Sequence, residues 1–121
     1  MTKTITWVLE MEVQAGQGEN VRPLLDEMVA ATQADEPGAL TYEYYHSADQ
    51  KHVTVIERYA DDAAAMVHLG NFGAKFAERF LAAFTPVRFM VYGPAETDLQ
   101  GALAGFGAQH MGHLVGFARD A

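Results

Sequence analysis

Residues 5–13 read ITWVLEMEV, with Ile5, Trp7, Leu9, Met11 and Val13 at the odd positions and Thr6, Glu10 and Glu12 among the even ones. A period of two is the mark of a strand buried on one face, so the first element belongs to a sheet whose odd residues meet the core. Val8 breaks the polar set and leaves the even face less polar than water alone would require. After the turn AGQG, Val21, Leu24, Leu25, Met28, Val29 and Thr32 recur at helical spacing and predict a helix from about Gln17 to Ala34, with Pro23 expected in its first turn. EPGAL ends that helix, because the residue before a proline resists α geometry. Leu40 to His46 and His52 to Tyr59 flank the polar loop SADQK and should pair as a hairpin. Asp61 can cap a second helix, interrupted at Gly70 and Gly73 and resuming to about Phe84. Pro86 opens a last strand, VRFMVY, in which Val87, Phe89 and Val91 alternate with Arg88, Met90 and Tyr92.

The order βαββαβ predicts an α+β, ferredoxin-like domain over residues 1–94, with a four-stranded antiparallel sheet and helices on one face. From Ala95 the composition changes to a short helix near Thr97 to Ala104 and a glycine-rich stretch. That extension, residues 95–121, carries Leu103, Phe106, Met111, Leu114, Val115 and Phe117, and is expected to pack on its own domain or on a partner subunit. The sheet face away from the helices would show Thr6, Val8, Tyr45, Ile56 and Met90, or their opposite-parity neighbours, which favours a twofold homodimer pairing sheet against sheet.

Sixteen acidic residues against eight basic ones give a formal charge of -8, which repels phosphate backbones and anionic lipid, so neither nucleic acid nor a membrane surface is expected as a partner. There is no cysteine, hence no disulfide, thiolate catalysis or zinc-thiolate site. No apolar run approaches the roughly 18 residues of a membrane span, and the amino terminus lacks the apolar segment of a secretory signal, so a cytoplasmic location is expected. GxGxxG after a strand, GxxxxGK[ST], GxSxG and HExxH do not occur.

On a helical projection His68 shares a stripe with Asp61, Ala64, Asn71 and Lys75, beside an apolar stripe of Ala65, Leu69, Phe72, Phe76 and Phe80. His68 is therefore either a boundary histidine bonded to a backbone carbonyl or a polar group on the wall of a pocket. Trp7, Tyr42, Tyr44, Tyr59, Phe72, Phe76 and Phe89 would line a cavity between helices and sheet, or simply fill it. Glu57 is in phase with Val53, Val55 and Tyr59, which aims a carboxylate at the core. It could be a base, a partner that orients His68, or half of an ion pair with Arg79. His46 with His52, and His110 with His113, each lack a third ligand and make a weak case for metal.

EPGALTYEYY, VTVIERYADDAAAMVHLGN, KFAERFLAAF and VRFMVYG together resemble the antibiotic biosynthesis monooxygenase domain family, which includes small quinol monooxygenases. The resemblance covers residues 5 to about 93. Glu36, Pro37, Gly38, Tyr42, Glu57, Arg58, Tyr59, His68 and Leu69 match the family pattern. It implies a dimeric α+β barrel and oxidation of a small aromatic, phenolic or quinol substrate by O2 with no cofactor and no metal. It further implies that His68 acts as the base or hydrogen-bond partner of the phenolate, and that Trp7, Tyr44, Asn71 and Phe72, with Glu57 and Phe76, bind the ring. Asn71 stands where family members often carry a second histidine, and Trp7 has no neighbouring asparagine of the kind haem-degrading relatives use. A non-catalytic binding or stress-response module of the same fold is the alternative.

Overall fold

The computed structural model describes residues 3–119. Its elements are β1 (Ile5–Val13), α1 (Gly18–Asp35), β2 (Ala39–His46), β3 (His52–Tyr59), α2 (Asp62–Lys75), α3 (Ala77–Ala83), β4 (Phe84–Tyr92), α4 (Thr97–Ala104) and β5 (Gln109–Met111). The strands form one sheet in the order β2-β3-β1-β4-β5, antiparallel except for the β4–β5 pair. This is the ferredoxin-like α+β arrangement with β5 added at one edge. The expected four-stranded antiparallel sheet is thus a five-stranded mixed one. Three residues in a glycine-rich stretch are too few for alternation to register as a strand.

Period two governs the core as the sequence predicts. Ile5, Trp7, Leu9 and Met11 of β1 are buried and paired with Tyr59, Glu57, Val55 and Val53 of β3, so one face of both strands meets the helices. The opposite face sets Val8 beside Ile56 and Met90, with Tyr45 next to Thr54; Met90 is buried and Tyr45 exposed. In β4 the alternation shifts. Glu10 pairs with Arg88 and Met11 with Pro86, so Val87 is an extra residue and lies 60% exposed instead of in phase with Phe89 and Val91. The bulge returns both Phe84 and Phe89 to the buried side, and it sits beside a proline that cannot donate to the ladder.

The helices also depart from expectation in ways with physical causes. Pro23 is the sixth residue of α1 rather than in its first turn, and it is tolerated at an exposed position where water can serve the unpaired carbonyl. Asp61 does cap α2, accepting from the Ala64 N–H at 2.8 Å. Gly70 and Gly73 remain helical, and the break falls at Phe76, whose N–H closes on the Phe72 carbonyl while its ring is buried. Gly38 fixes how the end of α1 meets α2. A Cβ there would stand 2.6 Å from the Ala64 Cβ, so only glycine lets the EPG turn lie against the start of α2. That approach carries Glu36 to His68.

In the extension, Leu99 and Leu103 of α4 are fully buried, whereas Leu114, Val115 and Phe117 are exposed. No helix among the described residues is long and apolar enough to cross a membrane.

Candidate active site

Three elements bring one imidazole between two carboxylates. Glu36 caps the end of α1, His68 and Asn71 project from α2, and Glu57 and Tyr59 come from the buried face of β3. His68 Nδ1 lies 2.9 Å from Glu36 Oε1, and Nε2 lies 3.2 Å from Glu57 Oε1. The Asn71 amide donates to Glu36 Oε2 at 3.2 Å, and the Tyr59 hydroxyl donates to Glu57 Oε1 at 2.5 Å. His68, Glu36 and Glu57 are each about 5–6% exposed. His68 is thus neither at the boundary nor bonded to a backbone carbonyl. Arg79, considered above as a partner for Glu57, instead pairs with Glu27 at 2.7 Å on the surface.

Burying charge is costly unless it is paired and hydrogen-bonded, and here each charged group has at least two partners or shares one. Burial pulls the His68 pKa down, but the hydrogen bond and charge of Glu57, followed by the charge and hydrogen bond of Glu36, outweigh it, and the net shift is upward from 6.5. With a carboxylate oxygen at each ring nitrogen, the doubly protonated form of the imidazole is the one this environment favours. Burial, reinforced by the Glu57 carboxylate, pushes the phenols of Tyr42 and Tyr59 upward, and burial with the neighbouring Tyr42 does the same for Tyr44. All three stay neutral hydrogen-bond donors at ordinary pH. The Tyr42 and Tyr44 hydroxyls meet at 2.8 Å.

A raised folded-state pKa means that His68 contributes stability fully present below its unfolded value of 6.5 and lost as pH climbs through the higher folded value. Urea midpoints of the wild type should therefore fall as pH rises above about 6.5. His68→Gln should lack that fall. Parallel profiles for the two proteins would show that the imidazole is not charged in the fold.

The imidazole is also a partition between two recesses. On one side, Trp7, Tyr44, Glu57, Phe72, Phe89 and Phe106 are among the walls of a narrow slot between sheet and helices that opens to solvent. On the other side lies a small groove lined by Glu36, Asn71 and Phe76, with Asp35 and Lys75 among its walls. The predicted ring-binding residues Trp7, Tyr44, Glu57 and Phe72 thus share the slot with His68. Asn71 and Phe76 do not, and face the groove instead. Trp7 packs at 4.9 Å from Tyr59 and 5.9 Å from Phe89, while His68 lies 5.2 Å from Tyr42, which makes the slot wall largely aromatic. Because Tyr59 and His68 both bind Glu57 Oε1, Glu57 Oε2 takes neither of those bonds.

Three side chains of the site, Glu36, Leu103 and Phe106, are not among those the sequence predicts for it. Glu36 belongs to the EPG turn and to the family pattern, but neither assigns it a role, and helical periodicity ends before it. Phe106 and Leu103 line the slot from the extension, which nothing in the strand pattern connects to the site. No three His, Cys, Asp or Glu side chains among the described residues cluster so as to hold a metal ion.

Fold and site together are a ferredoxin-like sheet carrying a carboxylate–imidazole–carboxylate set beside an aromatic slot. The model of the antibiotic biosynthesis monooxygenase family matches residues 4–85, more than half of the chain, and the chain belongs to that family. Among solved structures it is similar to MupZ from Pseudomonas fluorescens, with 26% identity, a TM-score of 0.85, and coverage of 98% of this chain and 91% of that one. It is similar to Rv0793 from Mycobacterium tuberculosis at 27% identity and a TM-score of 0.59, covering 77% of this chain and 96% of that one. SnoaB from Streptomyces nogalater, a cofactor-independent oxygenase, shares the fold at 19% identity and a TM-score of 0.64, over 79% of this chain and 97% of its own. No curated protein sequence matches the chain.

Proposed function

We propose that this protein is a cofactor-independent monooxygenase that oxidises a small phenol or quinol with O2. The observation that supports this most is a buried carboxylate, Glu57, with one oxygen tied to Tyr59 and His68, on the wall of an aromatic slot. Glu57 takes the proton of a substrate hydroxyl through its other oxygen. The positively charged imidazole of His68 stays in place and stabilises the negative charge that develops beside it. His68 is thus the charged hydrogen-bond partner, and the proton-accepting role passes to Glu57. The ionised ring is itself the reductant: it gives an electron to O2, one oxygen atom ends on the ring carbon, and the other leaves as water with two hydrogens of the substrate. Trp7, Tyr44 and Phe72 hold the ring and keep water out. The chain acts as a homodimer through the sheet face that carries Val8, Ile56 and Tyr45.

One feature favours a second reading. A slot that offers a carboxylate acceptor beside protonated tyrosines and an imidazolium contains both base and acid, which suffices for a redox-neutral proton transfer on an apolar substrate. Oxygen uptake measured against substrate loss, with 18O2 traced into product, separates the two. Stoichiometric uptake with label in the product supports the monooxygenase. Turnover that continues unchanged under nitrogen assigns redox-neutral chemistry, and binding without turnover in air assigns a ligand-binding module.

A further inference from the structure

The family match ends at residue 85, but the slot does not. Its far wall is completed by Leu103, at the end of α4, and by Phe106 in the turn that follows. Leu103 is fully buried and anchors that wall, while Phe106 is half-buried. The Phe106 ring reaches across the slot, 6.3 Å from Phe72 on α2 and 6.2 Å from Phe89 on β4, meeting both edge to face. It therefore spans the gap between the helical layer and the sheet at the place where the slot would otherwise widen.

The backbone beneath this ring is a turn closed by local hydrogen bonds. The Phe106 N–H bonds the Leu103 carbonyl at 3.1 Å, and the Gly107 N–H bonds the Ala104 carbonyl at 3.0 Å. Gly107 takes φ +76, a conformation other residues resist, and a Cβ at either Gly105 or Gly107 would meet nothing within 4 Å. The turn is anchored before the ring by buried Leu103 and after it by β5 paired to β4, and between these anchors the ring rests on Phe72 and Phe89.

We propose that Phe106 is the size filter of the slot: its ring occupies the position that the second ring of a fused aromatic substrate would take, so the carboxy-terminal extension restricts this protein to single-ring phenols. The inference rests on the slot being the substrate site, but not on the chemistry performed there. An aromatic plug differs from an aliphatic wall in consequence, because removing one ring opens a space of one ring.

The test uses the full-length chain and two probes, p-cresol and 1-naphthol, with affinities from calorimetry and from quenching of Trp7, the only tryptophan and a wall of the slot. In the wild type p-cresol binds better than 1-naphthol. In Phe106→Ala the ratio of affinities shifts toward 1-naphthol by at least about tenfold, a discrimination typical of one deleted group in an apolar pocket. Phe106→Leu falls between. A ratio is immune to a general loss of stability, which lowers both affinities together. The same ratio in all three proteins overturns the filter, as does a wild type that already prefers 1-naphthol. If neither probe binds any of the three, the slot is not an aromatic site and the filter fails with it. If the ratio shifts but no protein consumes oxygen, the filter stands and the monooxygenase assignment falls.

Discussion

His68→Ala is expected to cost about 3–5 kcal/mol of folding stability at pH 7, the range for removing one partner from a buried ion pair. The deletion leaves Glu36 and Glu57, both buried, without the cation between them, and it opens a void against Tyr42 and Tyr59, whose rings lie 5.2 and 5.1 Å from the imidazole. The loss should appear as a lower urea midpoint with an unchanged slope. His68→Gln, which keeps an amide donor but no charge, should recover part of it. A cost below about 1 kcal/mol, typical of surface pairs, would mean that the two carboxylates do not depend on a buried charge.

Glu57→Gln should instead spare the fold and remove the chemistry. The amide keeps the shape of the carboxylate, and its carbonyl oxygen can still accept from Tyr59 and His68, but it cannot take a proton from a substrate. General-base catalysis contributes about 10²- to 10⁴-fold, so kcat should fall by that factor while KM changes little. Steady-state kinetics with circular dichroism on the same preparation check both halves. An unchanged kcat would move the base elsewhere, and a fall in kcat/KM through KM alone would make Glu57 a binding group.

These two side chains also show where the sequence speaks and where it is silent. Alternation along β1 and β3 aims Trp7 and Glu57 at the core, because one slipped residue would turn both strands inside out. Asp61 announces the start of α2 through a local bond to its own backbone, and so does not depend on the rest of the fold. Val87 was misassigned since a bulge is an agreement between two strands, and β4 alone does not contain it. The partners of His68 are hidden for the same reason: Glu36 is 32 residues away and reaches it only because Gly38 lets the turn lie against Ala64. The family resemblance implies that Asn71 faces a substrate, while in the fold its amide donates to Glu36. Phe106 lies beyond the residues that the family model matches, and only the folded chain brings it to the slot.

The central claim is that the slot binds a phenol and Glu57 ionises it. The direct measurement is the absorption spectrum of the complex with 4-hydroxybenzaldehyde, a single-ring phenol whose ionised form absorbs at longer wavelength than its neutral form, taken under argon at a pH below its solution pKa. The wild type should show the phenolate band, and Glu57→Gln should bind the same compound with the neutral spectrum. A bound phenol that keeps its neutral spectrum in the wild type would contradict the account.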